Sequence, residues 1–169
     1  MKQSSIASSK RTDMPSITLR EVTPQDEQFL RALYACTRAQ ELAMVPWTEE
    51  QREAFLQSQF DAQNKYYRQQ YPSASFQLIL DNQEPVGRLY VLREAAAIRI
   101  LDIVVLPPHR HRGIGGSLIR GLIEEAESNG QAVSVWVEQF NPSGQLFQRY
   151  GFSVIADDGY NYHLERVPA

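Results

Sequence analysis

The stretch Val104-Val-Leu-Pro-Pro-His-Arg-His-Arg-Gly-Ile-Gly-Gly-Ser-Leu118 constrains the fold more than any other part of the chain. An apolar run, Ile98 to Leu106, leads into it and stops at two prolines, which a central strand does not tolerate. Glycines 113, 115 and 116 then open a segment in which Ile114, Leu118, Ile119, Leu122, Ile123 and Ala126 recur at helical spacing. Asn129-Gly130 is a good helix stop, and Val133 to Val137 reads as another strand. Strand, helix and strand in that order form a right-handed crossover with parallel strands. Glycine costs a helix about 1 kcal/mol relative to alanine, so such glycines at its start call for a reason. One reason is an anion. Backbone N–H groups left bare at a helix N-terminus, together with the positive end of its dipole, form a site for a phosphate or pyrophosphate. Arg110 and Arg112 add positive charge beside it. The alternative is a tight turn that holds no ligand.

The remaining segments surround this unit. Ile17 to Val22 alternates like a strand. A helix opens at Pro24 and Asp26, with Phe29, Leu30, Leu33, Tyr34 and Thr37 on one face. Thr48 is the expected N-cap of a second helix, which carries Phe55, Leu56, Phe60 and Tyr67 and stops near Tyr71-Pro72. Ser75 to Leu80 and Pro85 to Leu92 are strands joined at Asp81-Asn82 as a hairpin. Pro142 to Tyr150 is a short helix, and two strands near Ser153–Ile155 and Tyr160–Leu164 close the chain. With 169 residues and a net charge of −3, the chain fits one domain, 16–169, after a flexible polar tail, 1–15. The charge argues against a nucleic-acid grip, and no apolar run approaches the roughly 20 residues that cross a bilayer. A lone cysteine, Cys36, suits a reducing cytoplasm. His109 and His111 make too weak a set for a metal, so none is expected.

The anion loop lacks the spacing of a dinucleotide fingerprint and the Gly-Lys-Ser/Thr ending of a P-loop. Arg110-x-x-Gly113-x-Gly115 instead resembles the pyrophosphate motif of the GNAT (Gcn5-related N-acetyltransferase) superfamily. Val105-x-Pro107 before it and Asn141-Pro-x-x-x-Leu146-Phe147-x-x-x-Gly151-Phe152 after it resemble further family features. The resemblance covers roughly Ile17 to Arg166. It implies an α/β fold: a mixed, mostly antiparallel sheet, a splayed parallel strand pair at its centre, and helices on both faces.

The resemblance also implies roles. Acetyl-CoA would lay its pantetheine arm along Ile103, Val104 and Val105. Its pyrophosphate would sit on N–H groups of Arg110, His111, Arg112, Gly113, Ile114, Gly115, Gly116 and Ser117. Asn141 would bond the pantetheine, and Phe147 would stand beside the cofactor where many members place an acidic tyrosine. Phenylalanine has no proton to give. Tyr150, three residues on, is the substitute to weigh against simple packing. Asp102, the only charge between Ile100 and Leu106, and Glu138, at the end of the next strand, are candidate general bases; each is alternatively a salt-bridge residue, with Arg88, Arg93 or Arg99 as available partners. Trp47, Glu50 and Tyr160 are the candidate acceptor-binding residues. The expected activity is acetyl transfer to a primary amine, on a small molecule or a peptide, by direct attack in a ternary complex. The competing expectation is an acyl-CoA-binding module without chemistry. A homodimer is compatible with either.

Overall fold

The computed structural model describes residues 16–169, so the tail expected over 1–15 lies outside the described residues. Seven strands form one sheet in the order β1 (Ile17–Glu21), β2 (Ser75–Asp81), β3 (Glu84–Arg93), β4 (Ala97–Val105), β5 (Ala132–Glu138), β7 (Asn161–Arg166), β6 (Ser153–Asp157). Only β4 and β5 pair in parallel; every other neighbour is antiparallel. The parallel pair is joined by α3 (Ile114–Ser128), the crossover that the glycine-led helix predicts.

The helices divide between the two faces. Ile114, Ile119, Leu122 and Ala126 of α3, with Phe147 of α4 (Ser143–Arg149), pack on Ile79, Leu89, Val91, Ile98, Ile100, Val133, Val135 and Leu164. Leu30 and Tyr34 of α1 (Glu27–Ala43) and Phe60 of α2 (Glu49–Gln70) cover Leu78 and Leu80. Burying each such side chain contributes on the order of 1.5–3 kcal/mol. Thr48 caps α2: its hydroxyl accepts from the Gln51 N–H, and the Gln51 Oε1 accepts in turn from the Thr48 N–H. The β2–β3 hairpin turns on Asn82 and Gln83, both left-handed at φ 48° and 70°, as a tight primed turn requires.

Candidate active site

The centre of the sheet opens. β4 and β5 pair only over Ala97–Ile100 and Ala132–Val135. Beyond that, β4 runs on to Val105 against β3 alone, and β5 to Glu138 against β7 alone. Leu101 is a bulged residue, opposite the step from Tyr90 to Val91, and sits where the strands part. A bulge bends and twists its strand, which turns β4 from β5. The Tyr67 hydroxyl donates to the Leu101 carbonyl at 3.3 Å. Burial, aided by the nearby Asp102 carboxylate, pushes the Tyr67 phenol above its usual range and keeps it a donor. Ile103, Val104 and Val105 stand half-buried along the gap.

At its upper end β4 feeds the glycine loop. A single 3-10 turn, Pro107–His109, leads to His111 at φ 61° and Gly113 at φ 79°. Gly113 is the N-cap of α3 and has no side chain to cap with. From His111 through Gly116, no backbone N–H meets an acceptor among the described residues. The first helical bond is Ser117 N–H to the Gly113 carbonyl at 3.0 Å. No atom lies within 4 Å of where a Gly113 side chain would begin. These bare donors, open to approach, are the groups on which the sequence reading places an anion.

One part of that reading is corrected: the absence of a side chain at Gly116 has a cause in packing, since the Tyr150 hydroxyl lies 2.5 Å from where its Cβ would stand, while its N–H stays bare. Both loop arginines also bond within the protein, and Arg112 pairs its charge with a carboxylate. Arg110 Nε donates to the Val105 carbonyl at 2.9 Å, and Arg112 Nη1 donates to Asp81 Oδ2 at 2.9 Å. Asn141 Oδ1 accepts from the Ser143 N–H at 2.9 Å, which turns the chain into α4 and leaves the Asn141 amide NH2 without a protein acceptor among the described residues. His109 Nδ1 lies 3.3 Å from Arg112, and no cluster of three metal-ligating side chains occurs among the described residues.

Phe147 is also corrected. It is 1% exposed and meets Phe152 edge to face at 5.1 Å, inside the core. It touches no open surface, so it cannot stand beside a bound cofactor as the motif implies. Tyr150 packs over the start of α3.

The candidate bases differ in state. Asp102 faces α2, where its Oδ2 accepts from Arg88 Nε at 2.6 Å. Arg88 is 3% exposed, and its Nη2 also donates to Gln63 at 2.9 Å. Of the three partners weighed for Asp102, Arg88 is the one it pairs with. Glu138 is exposed, and its carboxylate makes no hydrogen bond or salt bridge among the described residues. Its negative charge, with that of Glu41, adds to the effect of the Tyr34 hydroxyl bond in raising the Arg38 pKa, so the end of β5 and the second half of α1 are electrostatic neighbours. The three acceptor candidates do not meet. Trp47 meets Phe55 with the rings tilted by 60° and their centroids 5.1 Å apart, Glu50 lines an outer groove of α2 with Glu53, Gln57 and Asp61, and Tyr160 is 81% exposed at the β6–β7 turn. Trp136, two residues before Glu138, stacks on His163 of β7 at 4.5 Å. Sequence reading passed over Trp136 and named Arg88 only as one of three possible partners; an arginine inside the run Val86–Leu92 was the signal that a central strand held a partner for a charge.

The model of the family described as Acetyltransferase (GNAT) matches residues 36–152, more than half of the chain. The chain belongs to this family. No curated protein matches it. Solved structures do. The PaiA N-acetyltransferase of Thermoplasma acidophilum in complex with coenzyme A is 19% identical, with a TM-score of 0.66 over 90% of this chain and 99% of that one. An acetyltransferase from Thermus thermophilus is 22% identical, with a TM-score of 0.62 over 89% and 96%. Arabidopsis thaliana Naa50, in complex with the bisubstrate analogue CoA-Ac-MVNAL, is 17% identical, with a TM-score of 0.58 over 89% and 98%. At these identities the likeness is one of fold. This GNAT-family chain has the mixed sheet and central parallel pair that its motifs imply. No helix among the described residues is long and apolar enough to cross a membrane.

Proposed function

We propose that this protein transfers an acetyl group from acetyl-CoA to a primary amine, by direct attack in a ternary complex. The observation that carries the reading is the open strand gap leading straight into the bare N–H groups of His111–Gly116. A thioester arm fits the gap, where the free edge of β4 offers backbone partners to its amides. A pyrophosphate fits the loop and the α3 N-terminus. The Asn141 NH2 is the free donor for a pantetheine carbonyl. Fold neighbours held with coenzyme A and with a CoA–peptide conjugate support the same cofactor and an amine acceptor.

An alkylammonium with a pKa near 10.4 must shed a proton before its nitrogen attacks. Glu138 is the better acceptor of that proton, because its oxygens are uncommitted while Asp102 holds Arg88. Glu138 passes that first proton on to solvent; the free amine nitrogen then bonds the thioester carbon, the C–S bond breaks, and the second proton released from the nitrogen goes to Glu138, directly or through water. The leaving thiolate is protonated by solvent; a thiol pKa near 8.5 makes that step undemanding. Oriented approach supplies most of the rate. The buried Phe147, standing where the family motif often has its tyrosine acid, favours the second reading, a binding module without turnover.

Calorimetry with acetyl-CoA, and thiol release against a panel of amines, test both readings. Gly113→Asp forces a side chain into a left-handed position and sets a carboxylate against the pyrophosphate, so acetyl-CoA binding is expected to vanish. Glu138→Gln is expected to lower turnover about 10²-fold with binding retained. Tight binding by Gly113→Asp refutes the loop assignment; firm binding with no turnover on any amine leaves the binding module.

A further inference from the structure

The loop that would hold the pyrophosphate is anchored from outside the site. Arg112 lies between the two left-handed residues, His111 and Gly113. Its side chain turns away from the loop and donates to Asp81 at the end of β2. Asp81 is 8% exposed, and its other oxygen, Oδ1, is buried with no partner among the described residues. Arg112 is therefore the one protein group among the described residues seen to satisfy this carboxylate. Asp81 itself is held firmly, since the next two residues form the tight hairpin turn and the Asn82 N–H donates to the Ser16 carbonyl at 3.0 Å. Left-handed backbone at a non-glycine residue such as His111 persists only where its surroundings over-determine it. The Arg112–Asp81 bond is such a constraint, and Arg110 bonded to Val105 is a second one on the other side of His111.

We infer that Asp81 is a positioning residue for the cofactor: through Arg112 it locks the loop 110–116 with the N–H groups of 111–116 bare, while that of Arg110 is bonded to the Pro107 carbonyl. This rests on the proposed function, in which that loop binds the pyrophosphate of acetyl-CoA. Binding then meets no ordering cost in the loop, and attraction comes from backbone donors and the helix dipole rather than from the Arg112 charge.

The test is calorimetry with CoA on the wild-type chain, Asp81→Asn and Asp81→Glu, with amide hydrogen exchange on the unliganded proteins. Asp81→Asn keeps the shape and loses the charge. Its dissociation constant is expected to rise about tenfold, equivalent to about 1.4 kcal/mol. Exchange is expected to quicken at 110–116 while the amides of β3 and of the second half of α3 stay protected. Asp81→Glu, which retains a carboxylate for Arg112, is expected to recover part of the affinity. Where turnover is measurable, the ratio of kcat/KM for acetyl-CoA to that for S-acetylpantetheine, which has no pyrophosphate, should fall about tenfold in Asp81→Asn. CoA affinity within twofold of wild type in Asp81→Asn overturns the inference. So does tighter binding, which would mean that Asp81 holds the Arg112 charge back from the ligand, and so does loss of protection throughout the sheet. A wild-type chain that binds no CoA overturns the proposed function, and this inference with it.

Discussion

Two glycines of α3 provide a direct trial of the packing argument at the site. Gly121 lies in the exposed middle of the helix, with no atom within 4 Å of where a Cβ would stand. Gly121→Ala is expected to stabilise by about 1 kcal/mol through helix propensity alone. For a chain of this size that raises Tm by about 2–4 °C. Gly116→Ala has the same propensity gain, but its methyl meets the Tyr150 hydroxyl at 2.5 Å. Overpacking of this kind costs about 1–3 kcal/mol, so the net effect is a loss of about 1 kcal/mol. Tyr150→Phe removes the clashing oxygen and leaves the nearest ring carbon, Cζ, at 3.4 Å, an ordinary contact. The Tyr150 hydroxyl makes no protein hydrogen bond among the described residues, so its removal has little cost of its own. Gly116→Ala in the Tyr150→Phe background should therefore become neutral or stabilising. Thermal and denaturant unfolding of the four proteins in the cycle give a coupling of about 1–2 kcal/mol. If Gly116→Ala stabilises as much as Gly121→Ala, or if the coupling is under about 0.5 kcal/mol, Tyr150 is not what requires this glycine, and the ligand again becomes the better reason.

Phe147→Tyr places a hydroxyl among Phe152 and its core neighbours with no partner in reach; we expect about 1–3 kcal/mol of destabilisation and no gain in kcat, whereas a raised kcat with unchanged stability would return position 147 to the catalytic surface. Asp26 accepts from Arg20 at 2.9 Å through both its oxygens and from the Thr23 N–H at 2.7 Å, which lowers its pKa from 3.8 to about 2, the Arg20 bonds contributing most. A depressed folded pKa gives stability that is present above pH 3.8 and lost as pH falls through about 2. Arg20 is partly exposed, so screening limits this to about 1 kcal/mol. Asp26→Asn should flatten the acid limb of stability in that window, and an acid limb as steep as that of wild type would show that Asp26 does not supply it.

What was legible in the sequence follows from what local pattern encodes. The stripe Ile114, Leu118, Leu122 defines α3, and the glycines before it mark bare N–H groups. The faces of β4 were not legible. Strict alternation would put Asp102 on the same face as Ile98 and Ile100, in the core against α3. The bulge at Leu101 reverses the phase: Ile103 and Val105 join that core instead, and Asp102 turns to α2 and Arg88. No period-2 signal announces an inserted residue. The packing constraint on Gly116 was hidden for a related reason. Its constraint comes from Tyr150, 34 residues away in sequence, and a glycine required by packing looks the same in sequence as one required by a ligand. Phe147 was misplaced because a motif carries position, not depth. The same four-residue spacing before Gly151 serves a surface tyrosine or a core phenylalanine.

The charge argument of the sequence needs a structural amendment as well. A net charge of −3 disfavours partners held by fields of lysine and arginine, yet the proposed ligand is itself a polyanion. Arg112 does little to resolve this, since its guanidinium is paired with the Asp81 carboxylate; Arg110 bonds a neutral carbonyl through Nε and keeps its charge. Beside that one cation, the attraction comes from a short arc of backbone N–H groups and a helix end, which reaches only about one helical turn. Such a site selects by geometry. An anion gains from it only when its oxygens fall where several N–H groups converge. On this reasoning a bent pyrophosphate with its arm in the strand gap is favoured over a free phosphate or a nucleic-acid backbone, and a modestly acidic chain can bind CoA without becoming a general polyanion binder.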